Sequence, residues 1–153
     1  MKNKFLIFSI FTIILTSCET DFDVNATWKE VTVVYGLLDM NQEHQFIKIN
    51  KAYLGEGDAM KMATISDSVN FSVENMDVKL LKLRLGQFNN YDTISTISLH
   101  DTIIEKEDGL FATDNNIIYT VNAPLGFFSR NYKYALEINN KVTANKVSSI
   151  TNI

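Results

Sequence analysis

The sequence predicts an all-β fold in which two antiparallel sheets pack face to face. From Trp28 onward, short runs rich in Val, Ile, Thr, Tyr and Phe follow a mostly two-residue period, with polar or glycine breaks at close intervals. The chain contains one proline and shows no long helical period. Its 153 residues, 46% hydrophobic and 21% charged, make one ordinary globular domain and exclude two large ones.

The first two runs predict a hairpin. Val31, Val33 and Tyr35 alternate with their neighbours up to Gly36, and residues 39–42 supply turn chemistry. The second run extends from His44 to Tyr53, with its apolar residues at alternate positions.

The region from Leu54 to Ser66 breaks the alternation. Its glycines loosen the chain, Asp58 is a suitable N-cap, and residues 59–63 are good helix formers, so we expect one short helical turn near residues 58–64. A strong strand follows from Met76 to Leu85. It carries apolar residues on both faces, which indicates a bulge or burial on two sides.

The remaining elements complete about eight strands. Residues 87–90 form a turn, and further runs cover 91–99, 102–104, 116–121, 132–138 and 141–150, the last two joined by a tight turn at Asn139-Asn140. This pattern predicts an immunoglobulin-like or fibronectin-like sandwich rather than a barrel. The final residues still resemble a strand, so we expect the chain to be a truncated form or a fragment of a longer protein.

The charge balance argues against nucleic acid as a partner. The formal net charge is -4, and an acidic chain lacks the basic face that phosphate binding needs. Cys18 is the single cysteine, so no internal disulfide forms.

The N-terminus is typical of an exported protein. Lys2 and Lys4 precede an apolar run from Phe5 to Leu15, which is too short to span a bilayer. Then follow four residues that resemble a bacterial lipobox, Leu15, Thr16, Ser17 and Cys18. This resemblance implies that Leu15, Thr16 and Ser17 are recognised by a signal peptidase and that Cys18 becomes lipidated.

The predicted organisation is therefore a lipoprotein signal peptide over residues 1–17, an acidic tether over 18–26 and a β-sandwich domain over 27–153. The lipid on Cys18 is the one covalent cofactor predicted, and it places the protein on the outer membrane. Both the periplasmic and the surface leaflet stay open. The acidic residues Glu19, Asp21 and Asp23 are similar to a surface-export signal of some Bacteroidota lipoproteins, and they equally suit a solvated tether.

Three core segments resemble uncharacterised Bacteroidota envelope lipoproteins that carry a domain of unknown function. These segments run from Val34 to Asp39, from Gln45 to Gly57, and from Tyr132 to Ile138 with the closing Val142-Thr143-Ala144. The resemblance implies an N-terminal immunoglobulin-like sandwich, and it makes a TonB-dependent outer-membrane transporter a candidate partner by analogy. It supplies no catalytic residues.

The sequence offers little for catalysis. His44 and His100 are the two histidines, and each lies where a strand meets a turn; a paired metal site would require the fold to bring them together. Ser129 has no nucleophile signature around it. We therefore predict no catalytic residue and no metal site.

Three acidic segments are candidate cation sites. Residues 39–43 imitate the start of a calcium loop but place His44 at the sixth position, where glycine belongs, so a polar hairpin turn is the better interpretation. Glu56 with Asp58, and the acidic turn at residues 105–108, are interpreted as solvated loops.

Three Asp-Ser/Thr-apolar tripeptides exceed chance expectation. They make Ser68, Thr93 and Thr102 candidate O-glycosylation sites, because the tripeptide resembles the general O-glycosylation site of some Bacteroidota exported proteins. A turn aspartate followed by a β-branched strand start produces the same tripeptide for structural reasons.

Aromatic residues are numerous enough for either a core or a sugar-stacking platform, and the core interpretation is favoured. They are Trp28, Tyr35, Tyr53, Tyr91, Phe127, Phe128, Tyr132 and Tyr134. The functional prediction is a non-enzymatic envelope module that binds a transporter, a surface glycan or another surface protein. The alternative is a glycan-directed or metal-dependent hydrolase, which requires polar residues to converge in a cleft.

Overall fold

The structure is a computed structural model that describes residues 31–52, 57–107, 109 and 116–153. Two four-stranded antiparallel sheets pack against each other, as predicted. In spatial order, sheet 1 contains β1 (Val31–Leu37), β2 (His44–Ala52), β6 (Ile117–Asn122) and β5 (His100–Ile103). Sheet 2 contains β4 (Tyr91–Ser98), β3 (Met76–Leu85), β7 (Lys133–Asn140) and β8 (Lys146–Asn152).

This strand order has the Greek-key pattern of immunoglobulin constant domains. There, strands A, B, E and D form one sheet and C, F and G the other. Strands β1, β2, β6 and β5 correspond to the first set, and β3, β7 and β8 to the second, with β4 added beside β3. The predicted first hairpin is confirmed, because β1 pairs with β2 from Val31 opposite Ala52 to Leu37 opposite Phe46.

The core lies between the sheets, where the alternating apolar residues meet. Ile47 and Ile49 of β2 are buried while Phe46 between them is exposed, which is the two-residue period expected of a half-buried strand. The other sheet contributes Val78, Leu80 and Ile138. Burying such side chains stabilises the fold by about 1.5–3 kcal/mol each.

Two short helices lie between β2 and β3. The predicted turn is confirmed as α1 (Ala59–Met62), whose N-cap Asp58 accepts a hydrogen bond from the Met60 N–H at 2.9 Å. A second helix, α2 (Ser66–Val69), was not predicted, because its residues are weak helix formers and its N-cap, Ile65, makes no side-chain capping bond.

The irregularity expected in the third strand is present. The pairing of β3 with β4 shifts between Lys82 and Leu83, where Lys82 faces Ser95 and Leu83 faces Thr93. Ile94 is therefore the extra residue of a β-bulge on β4. The predicted two-sided burial also occurs, since Leu80 and Leu83 are both buried although they project to opposite faces.

The predicted turn at Asn139-Asn140 is wrong. Strand β7 continues through Asn140, and residues 141–145 make the turn, with the left-handed conformation at Ala144 (φ 57°). The buried Asn140 causes this, because its side-chain oxygen accepts hydrogen bonds from the N–H groups of Val142 (3.0 Å) and Thr143 (3.3 Å). Asparagine at this position starts the turn through its side chain rather than by adopting a positive φ.

Candidate functional site

Three loops gather at one end of the sandwich, which we call the loop pole: residues 38–43, 86–90 and 123–132. The start of β2 pairs with the end of β6, since His44 faces Asn122, and the end of β3 pairs with the start of β7, since Leu83 faces Lys133. The Ala123 N–H also donates to the Glu43 carbonyl at 2.8 Å. Antiparallel pairing thus brings loops together that are far apart in sequence.

The first loop is held from inside by Gln45. Its side chain is buried, its amide oxygen accepts from the Asp39 N–H at 2.8 Å, and its amide nitrogen donates to the carbonyls of Asp39 (2.8 Å) and Gln42 (2.6 Å). A single buried amide therefore closes both sides of the turn.

The third loop is held from inside by Tyr134. Its hydroxyl accepts from the Ser129 N–H at 2.7 Å and has the carbonyls of Phe127 (3.0 Å) and Ser129 (3.2 Å) within donation distance. Burial raises the pKa of this hydroxyl, so it stays protonated and able to donate. The position near the start of β7 and the bond to the upstream loop are those of the tyrosine corner of Greek-key sandwiches.

Sequence reasoning missed this role of Tyr134. It grouped Tyr134 with the core aromatics, and the ring does pack there, 5.8 Å from Phe127 and 5.2 Å from Phe128 between centroids. The signal that was available is a tyrosine at the start of the penultimate strand, after a loop of about ten residues.

Each loop of the pole presents a large apolar side chain to solvent. Met40 is 40% exposed, Phe88 93% and Leu125 88%. Met40 and Leu125 border the same small cavity of about 50 Å³ between the first and third loops. Leu37, at the end of β1, is a further exposed apolar residue at this end of the sandwich.

The second loop holds Phe88 in an unfavourable conformation. Phe88 (φ 58°) and Asn89 (φ 63°) are both left-handed, as in the two central residues of a type I′ hairpin turn. The Asn90 N–H donates to the Gln87 carbonyl at 3.2 Å and closes this turn, and the Gly86 N–H donates to the Asn90 carbonyl at 2.8 Å just outside it. Glycine or asparagine is preferred at such positions, so a fully exposed phenylalanine there is costly for folding.

A larger cavity of about 350 Å³ opens between the edge strands β1 and β8. Val34 and Gly36 line it from β1, Ser149 and Thr151 from β8, and it reaches inward to Tyr134. Among the described residues that line it there is no carboxylate, histidine or lysine, and Tyr134 is the one titratable side chain.

The two predicted histidine positions lie on one face but apart. His44 pairs with Asn122 and His100 with Thr120, so both histidines lie on the outer face of sheet 1. Their strands, β2 and β5, are separated by β6, and each strand lies about 4.8 Å from the next. In the described ranges no three His, Cys, Asp or Glu residues are placed to hold a metal ion.

The acidic segments behave as polar turns where the structure describes them. Asp39 accepts hydrogen bonds from the Asn41 N–H (2.9 Å) and side chain (3.2 Å), which confirms the hairpin turn. Asp58 caps α1, and Glu105 and Glu107 are exposed. Glu56 and Asp108 lie outside the described residues.

The predicted modification sites are differently placed. Thr93 is exposed on β4 beside the bulge, whereas Ser68 in α2 and Thr102 in β5 are half-buried. Leu15, Thr16, Ser17 and Cys18, with the whole of segments 1–17 and 18–26, lie outside the described residues.

Most of the described aromatics belong to the core, as favoured. Phe127, Phe128 and Tyr134 are buried and Tyr132 packs against them, while Tyr35 and Tyr91 are exposed. Trp28 and Tyr53 lie outside the described residues.

The inner face of sheet 1 contains an unpaired hydroxyl. Tyr119 is 4% exposed and its hydroxyl has no hydrogen-bond partner among the described residues. Burial, and secondarily the negative charge of Asp101, raise the pKa of Tyr119 to about 12.

On the outer face of sheet 1, Lys48 donates to the carbonyl of Ile117 (2.8 Å) and to the side chain of Asn116 (3.1 Å). Burial, and then the positive charge of Lys106, lower the pKa of Lys48.

Comparison with protein-family models, curated proteins and solved structures finds no match for this chain. Among the described residues, no helix is both long and apolar enough to cross a membrane.

Proposed function

We propose that the protein is a non-enzymatic binding module of the outer membrane, anchored by a lipid on Cys18, whose loop pole docks onto another envelope protein. The candidate partner is a TonB-dependent transporter. The observation that supports this proposal is the exposure of Met40, Phe88 and Leu125 on three adjoining loops. Exposed apolar side chains gathered at one end of a folded domain are typical of interaction sites.

The pole combines rigid support with apolar anchors. Gln45 and Tyr134 fix the first and third loops through buried hydrogen bonds. Preorganised loops lose less conformational entropy on binding, and aromatic side chains such as Phe88 contribute disproportionately to binding energy. The strained backbone at Phe88 costs stability, and strain of this kind concentrates at functional sites.

The position of the anchor is compatible with docking at this pole. Val31 pairs with Ala52 at the opposite pole, where the described chain begins. The 14 residues from Cys18 to Val31 are joined by 13 Cα–Cα steps, which span at most about 45 Å when extended. A lipid on Cys18 would therefore keep the opposite pole within about 45 Å of its membrane, a length that lets the loop pole turn toward a transporter in the same membrane.

The test is in-cell cross-linking of the full chain in its native host, followed by mass spectrometry of the captured proteins. We compare wild type with the double variant Phe88→Asp/Leu125→Asp, which removes the two most exposed anchors. Val142→Asp is the matched control, because Val142 is 70% exposed but lies in the β7–β8 turn at the opposite pole. Cys18→Ala tests the anchor.

We expect wild type and Val142→Asp to capture one transporter, and the double variant and Cys18→Ala to lose it. Equal capture by the double variant would overturn docking through the loop pole. Capture that survives Cys18→Ala, with the protein still in the membrane fraction, would overturn the lipid anchor.

A further inference from the structure

A shallow groove of about 170 Å³ lies beside the loop pole, on the outer face of sheet 2. Leu83 and Leu85 of β3 and Tyr91 of β4 form its apolar side. They share this face because Leu83 faces Lys133 across the sheet and Leu85 faces Tyr91. The groove therefore has an apolar floor that is built on paired strands.

Its polar side is cationic. Arg130, at the end of the third loop, and Lys133, at the start of β7, both line the groove. The Lys133 ammonium lies 4.8 Å from the centre of the Tyr91 ring, a cation–π contact that holds it at the groove. This concentration of positive charge occurs on a chain of net charge -4.

Neither cation is neutralised by a described carboxylate. The salt bridges of the described residues join Lys79 to Asp77 and Lys146 to Glu137. The nearest acidic residue along β4, Asp92, belongs to the other face of the strand, where its carboxylate fills the space that a side chain at Gly86 would need. None of the described lining residues is acidic, so the groove can accept an anion without competition.

Tyr132 also lines the groove, and two amide side chains complete the lining, Asn131 from the third loop and Asn152 from β8. Each supplies two donors and one acceptor, which suits hydroxyl groups. Arginine binds a carboxylate through two parallel hydrogen bonds, and the apolar face of a sugar ring packs on aromatic and aliphatic side chains. The groove thus offers one partner for each part of an acidic sugar.

We propose that this groove binds a carboxylate-bearing sugar, a hexuronate unit of an acidic polysaccharide. Arg130 and Lys133 hold the carboxylate, the ring lies against Leu85 and Tyr91, and Asn131 and Asn152 bind hydroxyls. The proposal does not depend on docking at the loop pole, since it uses none of Met40, Phe88 or Leu125.

The test is a nuclear magnetic resonance titration of the full chain, ¹⁵N-labelled and extracted in a neutral detergent, with glucuronate as the probe. Glucose is the matched neutral sugar, and acetate is the carboxylate without a sugar. We expect saturable shifts of the Asn131 and Asn152 side-chain amides with glucuronate, and binding of glucose and acetate at least about tenfold weaker.

Arg130→Gln should weaken glucuronate binding about tenfold by removing the charged partner. Arg84→Gln is the control, because Arg84 is an exposed arginine of β3 that projects to the face opposite the groove. The proposal is overturned if glucuronate produces no saturable shift, if glucose or acetate binds equally, or if Arg84→Gln weakens binding as much as Arg130→Gln. Met40→Asp, in the first loop and away from the groove lining, should leave glucuronate binding intact, and Lys133→Gln, in β7 outside the loop pole, should leave partner capture intact, so the two proposals fail separately.

Discussion

Two buried tyrosines, one on each sheet, differ in what their hydroxyl groups do. Tyr134 of sheet 2 is fully buried and its hydroxyl binds the backbone at two residues of the third loop. Tyr119 of sheet 1 is almost equally buried, yet its hydroxyl has no partner among the described residues. The same side chain thus fixes a loop in one sheet and only fills space in the other.

This difference shows which buried polar groups do more than fill the core. Gln45, a second buried polar group, also binds a loop of the same pole. Burying polar groups is costly unless they are paired, and both of these groups are paired with loop backbone. The buried hydrogen bonds described for Gln45 and Tyr134 serve the loop pole, which is consistent with a functional role for that end of the molecule.

The largest effect is expected from Tyr134→Phe. The substitution keeps the ring but leaves the Ser129 N–H and the Phe127 carbonyl without their partner, so we expect a loss of about 3 kcal/mol in the free energy of unfolding. Guanidinium unfolding of the full chain measures it. Faster hydrogen exchange of the Ser129 amide should accompany the loss.

Tyr119→Phe is the matched control, because it removes the same atom at nearly the same burial. We expect a change within about 1 kcal/mol at pH 7, since no described hydrogen bond is lost. Equal losses for the two variants would contradict the distinction between the tyrosines.

Gln45→Leu should have the next largest effect. Leucine fills a similar volume but leaves the Asp39 N–H and two carbonyls of the first loop unpaired, and we expect a loss of about 2 kcal/mol. The loop is partly exposed, so water compensates for part of the loss. Chemical unfolding measures the loss, and Gln87→Leu is the control, because Gln87 is exposed and its replacement should change stability little. If Gln45→Leu left the free energy of unfolding unchanged, the first loop would not need its buried amide.

The sequence predicted the strands well, because their residue pattern is local, but it did not predict that three loops meet at the loop pole. The alternation around Ile47 and Ile49 identifies β2 because the two-residue period reports directly which face is buried. The approach of Glu43 to Ala123 joins residues 80 positions apart, and no local pattern encodes it. The hydroxyl bonds of Tyr134 join groups five and seven residues apart, and the only sign of them in the sequence is the place of this tyrosine at the start of the penultimate strand.

The left-handed conformation at Phe88 was not predicted, because it is contrary to the intrinsic backbone preference of phenylalanine. Phenylalanine rarely adopts positive φ, and the short connection between Gly86 and Asn90 requires two residues that do. Closure of the hairpin, which pairs Leu85 with Tyr91, outweighs the local cost. The exposed anchors were therefore predictable as apolar residues in loops, but their meeting at one pole was not.

Alkaline unfolding distinguishes the tyrosines in a further way. The pKa of Tyr119 is about 12 in the folded protein, above the ordinary value of 10.0, so above pH 10 the unfolded chain loses this proton first. The stability linked to Tyr119 is therefore present below pH 10 and falls as the pH rises toward 12. At pH 11 we expect wild type to have lost about 1.4 kcal/mol relative to Tyr119→Phe.

The measurement is the unfolding free energy of both proteins from pH 8 to pH 11. The other titrating groups are common to both, so their contributions cancel in the difference. A difference that is independent of pH would contradict the burial of an unpaired hydroxyl at position 119.

The smallest change in stability is expected from relieving the backbone strain at Phe88. Phe88→Gly removes the steric cost of φ 58° and should raise the free energy of unfolding by about 1 kcal/mol, because the lost side chain is 93% exposed and buries little. Thermal and chemical unfolding measure the gain. The same variant should weaken partner capture, since it removes the aromatic anchor of the loop pole.

Ala144→Gly is the control, because Ala144 has nearly the same φ, 57°, in the turn at the opposite pole. It should gain a similar amount of stability and leave partner capture unchanged. If both variants are more stable and both still capture the partner, the strain at Phe88 is only a consequence of hairpin closure. If Phe88→Gly alone loses the partner, the same strained position that lowers stability supplies the binding anchor, and the loop pole differs in function from the opposite end of the sandwich.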